Sequence, residues 1–171
     1  MNDASETNAA EKAAQHLADL LGTPVAGFLP SQADQFLSQI DLDLELFRRR
    51  NVGLAALVLL AMLVKNDGQS RARLIADLRP EYFTQRSVEH FLFVRIMEAL
   101  SKQQEITAET LAAFVRDYGP TVWLEPPSER SLAGHYFKVA QILSIKASDA
   151  QIEQALVLRR DWAERRGYVS A

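Results

Sequence analysis

The sequence reads as an all-α fold: a compact bundle of seven or eight helices around one central apolar helix at residues 52–64. Three observations predict it. No stretch alternates apolar and polar residues over the length of a strand. The glycines and prolines, seven and six of 171 residues, fall almost entirely between segments of helical period. The run Val52-Gly-Leu-Ala-Ala-Leu-Val-Leu-Leu-Ala-Met-Leu-Val64 carries no charge on any side, which suits a helix surrounded by other helices. A membrane span needs about 20 apolar residues. This run covers only about 20 Å of helix before Lys65-Asn66-Asp67 ends it, so it is read as core.

The other elements follow in order. Residues 8–21 form an Ala-rich helix ended by Gly22 and Pro24. Ser31, with Asp34 three positions on, opens a second helix; Leu37, Ile40, Leu44 and Phe47 share one stripe of it. Residues 1–50 are thus expected to be an N-terminal helical pair, partly disordered over 1–7, preceding a helical domain at 51–171. A short helix near 70–78 leads to Pro80. Thr84 is read as the cap of a long helix to about Lys102, carrying Val88, Phe91, Leu92, Phe93, Val94, Ile96, Met97 and Leu100. Thr107 caps a helix with Leu111, Phe114, Val115 and Tyr118 on one face, and Gly119-Pro120 is expected to stop it. An irregular loop runs through Trp123 and Pro126-Pro127. Ser128 opens a helix with Leu132, Tyr136, Val139, Ala140 and Leu143, and Ser148 with Gln151 makes a capping box for a last helix to about Arg166.

Composition narrows the function. A net charge of −3 offers no global attraction for nucleic acid. Cysteine is absent, which removes disulfides and thiolate chemistry and suits a reducing, cytoplasmic setting. The start Met1-Asn-Asp-Ala-Ser-Glu-Thr has neither the basic nor the apolar part of an export signal.

Catalytic patterns are missing. His16, His90 and His135 stand far apart, without a second histidine at i+3 or i+4. Asp41 and Glu45 share a helix face, but it lies opposite the apolar stripe and is read as solvated. No Gly-rich phosphate loop and no Gly-x-Ser-x-Gly elbow occurs. The chain is expected to be no enzyme and to need no cofactor or metal. Arg48-Arg49-Arg50 closes a helix, where the macrodipole favours cations. Arg159, Arg160, Arg165 and Arg166 are interleaved with Asp161 and Glu164, so Asp161–Arg165 and Arg160–Glu164 are expected to neutralise one another at i, i+4. Tyr82-Phe83 is read as an aromatic plug under a helix start.

The block Arg79-Pro80-Glu81-Tyr82-Phe83-Thr84, then a long helix, then Ile106-Thr107-x-x-Thr110-Leu111-x-x-Phe114, resembles the N-terminal domain of bacterial replicative (DnaB-type) helicases. Residues 54–64 stand where that family has its Leu-rich first core helix. Gly134-His-Tyr-Phe-Lys-Val-Ala-Gln-Ile-Leu143 and the Arg-rich last helix resemble its two closing helices. The likeness spans residues 52–166. It departs from the family in a longer spacing before Ile106, in the first fifty residues, and in lacking the ATPase motor. The resemblance implies a stand-alone relative of an interaction domain that, in the helicases, mediates subunit packing and binds primase. It implies a non-catalytic protein-interaction module with helicase, primase or a second copy of itself as partner; from the charge balance and the length of the apolar run, neither direct nucleic-acid contact nor a membrane is expected. The residues expected to be exposed and to meet the partner are Tyr136, Lys138, Arg159, Arg160 and Trp162. The alternative is an unrelated all-helical adaptor or regulator, such as a secretion, immunity or stress component.

Overall fold

Residues 40–65, 68–126 and 128–170 are described by the computed structural model. The helix expected at 8–21, the start of the one at 31–47, His16 and Leu37 lie outside the described residues. Six α-helices fall among the described residues, and no strand does. They are α1 (Val52–Val64), α2 (Gly68–Asp77), α3 (Val88–Ser101), α4 (Ala108–Tyr118), α5 (Glu129–Ser144) and α6 (Asp149–Arg165).

Helix α1 is the hub. Every residue from Leu54 to Leu63 is buried, because α6, α5, α2 and α3 all pack on it. Its start is set by Asn51, whose side chain accepts the Leu54 N–H at 3.0 Å. No helix among the described residues is long and apolar enough to cross a membrane.

Local cap chemistry places the later helices. Thr107 accepts the Thr110 N–H at 3.2 Å while the Thr110 hydroxyl accepts the Thr107 N–H at 3.2 Å. Ser148 and Gln151 complete the same reciprocal pair, as the capping-box spacing predicts.

Four readings are corrected. Ser87, not Thr84, caps α3, accepting the His90 N–H at 3.1 Å. Arg86 between them is left-handed at φ 66°, which a helix cannot include, so Thr84 closes a turn by accepting the Ser87 N–H at 3.0 Å. Upstream, Leu44–Arg48 is a π-helical turn, and its wider winding breaks the expected stripe. Leu46 is fully buried there, while Phe47 is 47% exposed. Val94 of α3 likewise faces out.

At the end of α4, Gly119 stays right-handed and the chain runs on into a second π-helical turn, Gly119–Trp123. Pro120 has no N–H to give the α-ladder, and the left-handed Leu124, at φ 57°, ends the turn instead of Gly119. The aromatic plug is as expected: Tyr82 and Phe83 are buried, and Phe83 stacks on Phe93 of α3 with ring centroids 4.8 Å apart.

Residues 40–48 dock on the domain. Leu46 enters the core, Gln151 donates to Asp43 at 2.8 Å and Gln154 to the Leu46 carbonyl at 3.4 Å.

Candidate functional site

Of the residues expected to meet a partner, four are tied into the structure and one is free. Tyr136 is 0% exposed and its buried hydroxyl has no hydrogen-bond partner among the described residues, with burial pushing the phenol well above its usual range. Arg159 is 3% exposed. Its Nε donates to the Tyr82 carbonyl at 2.6 Å, an Nη donates to the Val52 carbonyl at 3.2 Å, and its guanidinium lies 4.0 Å from the centre of the Trp162 ring. Burial lowers its pKa to about 10. Trp162 is 9% exposed. Lys138 is half-buried against Glu89 of α3. Burial raises the Glu89 carboxyl, but the Lys138 hydrogen bond and charge outweigh it and hold the group below its usual range. The expectation of exposure fails for these four because the helical period marks a face without saying what covers it.

Arg160 is exposed, and it does not pair with Glu164. Asp161 reaches Arg50 at 3.4 Å rather than Arg165. The internal neutralisation expected along α6 is therefore absent among the described residues.

Arg160 stands on one wall of a groove of about 350 Å³ between α6, α2 and the 3₁₀ turn Pro80–Tyr82. Arg73 bridges the groove to Glu153 and holds Asp77 of its own helix at 3.7 Å. Arg79 and Arg160 line the same groove and meet no carboxylate among the described residues. Tyr82 also lines it, buried, its carbonyl held by Arg159 and its hydroxyl without a hydrogen bond among the described residues. Three guanidinium groups against two carboxylates leave the groove with one positive charge, on a chain that is negative overall.

Arg73, Arg79, Tyr82 and Glu153 were not candidates from sequence. The i, i+4 spacing of Arg73 and Asp77 was a legible signal of an ion pair. The convergence of α2 with α6 was not.

A polar and aromatic cluster lies at the start of α3. Tyr118 donates its hydroxyl to the Arg86 carbonyl and accepts the Trp123 indole N–H at 2.8 Å. The Arg86 guanidinium lies 4.0 Å from the centre of the Trp123 ring and donates to the Val122 carbonyl at 3.2 Å. Each group here satisfies its neighbour, so the cluster locks α3 to the second π-helical turn. The described histidines, His90 and His135, are both held below the usual imidazole range, first by burial. Among the described residues no group of three His, Cys, Asp or Glu side chains could hold a metal ion.

Compared with protein-family models, with curated proteins and with solved structures, the chain finds no match.

Proposed function

We propose that the chain is a non-catalytic helical interaction module that docks an acidic segment of a protein partner in the groove between α2 and α6. The observation that carries this is the pair Arg79 and Arg160, two guanidinium groups on one groove that meet no carboxylate among the described residues. Arginine recognises carboxylates in a planar, two-pronged geometry, and it is enriched among residues that dominate interface energetics.

Replicative helicase and primase are the partners to try first, on the strength of the block 79–84 and the helix starts that follow it; a second copy of the chain is the third. The function proposed on that basis is regulation, loading or competition at a replication assembly.

The test is size-exclusion chromatography with light scattering, on the chain alone and mixed with purified helicase or primase at micromolar concentration. A co-eluting complex that Arg79→Glu with Arg160→Glu abolishes supports both the module and its groove. A complex indifferent to that charge reversal removes the groove from the reading. Separate elution from both proteins removes them as partners.

A further inference from the structure

A second concavity is lined by other residues of the same 3₁₀ turn, Pro80 and Glu81, and its chemistry is the reverse of the groove's. Its geometry starts from Gly167. That residue ends α6 in the left-handed region at φ 73°, with Gly167 N–H bonded to Glu164 at 3.0 Å and Tyr168 N–H bonded back to Ala163 at 3.0 Å. This six-to-one closure is a Schellman motif. Nothing crowds the missing Cβ, so backbone conformation alone favours glycine there. The motif folds Tyr168 back beside Trp162, ring centroids 5.6 Å apart and 69° between planes.

Tyr168, 48% exposed, then forms one wall of a cleft of about 240 Å³, with Pro80, Glu81, Phe83, Gln85 and His90 as the rest of its lining. Phe83 is rigid, being buried and stacked on Phe93. Glu81 is exposed and makes no ion pair among the described residues. His90 is kept neutral at pH 7, burial lowering its pKa more than Glu81 raises it. No lining residue is a lysine or arginine. The cleft therefore offers one carboxylate without an ion pair among the described residues, the half-exposed Tyr168 ring and two neutral polar groups.

We infer that this cleft binds an organic cation: the guanidinium or ammonium of an arginine or lysine side chain on a partner. A carboxylate beside aromatic faces is the arrangement that captures such groups. The neighbouring Trp162 already holds two guanidinium groups, Arg159 at 4.0 Å and Arg166 at 4.6 Å from its ring centre. Tyr168 is the ring in this corner left with half its surface open. Glu81 supplies the charge, Tyr168 the aromatic contact, with Phe83 buried behind it as rigid support, and Gln85 a carboxamide acceptor. The inference is independent of the groove, since none of these residues lines it.

The experiment is a titration of the isotope-labelled full chain with N-acetyl-arginine amide, following the Gly167, Tyr168 and His90 amide signals by two-dimensional NMR. N-acetyl-citrulline amide, uncharged but of nearly the same shape, is the control. Saturable shifts are expected with the arginine probe, at an affinity about five- to tenfold above citrulline. Glu81→Gln is expected to erase that preference, and Tyr168→Leu to weaken arginine binding while leaving the fold, judged by the remaining amide spectrum, unchanged. Equal shifts with citrulline, non-saturating shifts, or an arginine preference that survives Glu81→Gln would overturn the assignment.

Discussion

Arg159 donates its Nε to the backbone carbonyl of Tyr82 at 2.6 Å, joining residues 77 positions apart in sequence. This bond ties α6 to the Pro80–Tyr82 turn, whose residues line both the charged groove and the cleft beside Tyr168. A second donor on the same guanidinium reaches the Val52 carbonyl at the start of α1, so one side chain pins three elements. The cation is costly to bury, as its lowered pKa records, and the two carbonyls and the Trp162 face offset that cost.

Replacing Arg159 with Met removes the buried charge but takes the donor from the Tyr82 carbonyl and the second donor from the Val52 carbonyl, which keeps its bond within α1. The expected loss is about 2 kcal/mol, from unmade bonds to a charged donor less the relieved desolvation. Arg159→Lys should recover only part of it, because a point charge cannot reach both carbonyls as the planar fork does. Urea denaturation of the three proteins measures this. A loss below about 0.5 kcal/mol for Arg159→Met, the usual range of surface changes, would mean that the fork contributes no net stability.

Tyr118→Phe tests the lock between α3 and the second π-helical turn. It deletes the donor to the Arg86 carbonyl and the acceptor of the Trp123 indole N–H, while keeping the edge contacts with Phe91 and His135. The expected cost is about 1–2 kcal/mol, that of one hydrogen bond lost and one polar group left without its partner. Trp123 emission should shift to the red as the indole is released to water. An unchanged emission maximum would show that the indole is held by Arg86 stacking instead.

These relationships mark how far the sequence could be read. The 52–64 helix was legible to the residue because its apolar run is bounded by Asn51 and Lys65, and the starts at Thr107 and Ser148 because cap chemistry is local. Ser87 was hidden by the left-handed Arg86, since nothing in an arginine announces positive φ. The π-helical turns were hidden for a related reason: one slipped hydrogen bond rotates every later side chain, exchanging Phe47 for Leu46 at the core. The site was the least legible part. Arg159 carries a charge and reads as surface, but its acceptors lie on two elements remote in sequence, and arginine is buried where such partners exist. Arg160, one residue on, looks the same in sequence and lies on the groove wall.

The pair Glu89–Lys138 joins α3 to α5 and should make stability depend on acid. Glu89 has its folded pKa below the ordinary value of 4.5, so its contribution is fully present above that value and is lost as pH falls through the folded one. Lys138→Met strands a half-buried carboxylate and should cost about 1 kcal/mol at pH 7, discounted because Lys138 is partly exposed. The gap between the two proteins should close as the carboxyl is protonated, below pH 4.5. A gap independent of pH would assign the loss to packing of the lysine stem.

His135 predicts an earlier acid response. Its Nδ1 is buried without a hydrogen bond among the described residues, its ring is edge-on to Tyr118 at 5.3 Å and 86°, and Lys138 of its own helix and Glu89 of α3 are the charged groups that act on it. Burial first, then Lys138, lower its pKa from 6.5, with Glu89 opposing. Between the lowered folded value and 6.5 the unfolded chain holds more protons than the folded one, so stability falls as pH falls through that window. His135→Phe keeps a flat ring against Tyr118 and removes the titrating group. The variant is expected to lose less stability than the parent between neutrality and about pH 5, the interval in which histidine charge changes, read as urea midpoints at both pH values. His90 shifts in the same direction, so a residual slope should remain and should disappear in the double variant with His90→Gln. If His135→Phe keeps the full parental slope, protonation at this buried edge does not govern the acid response, and Nδ1 is instead satisfied by water.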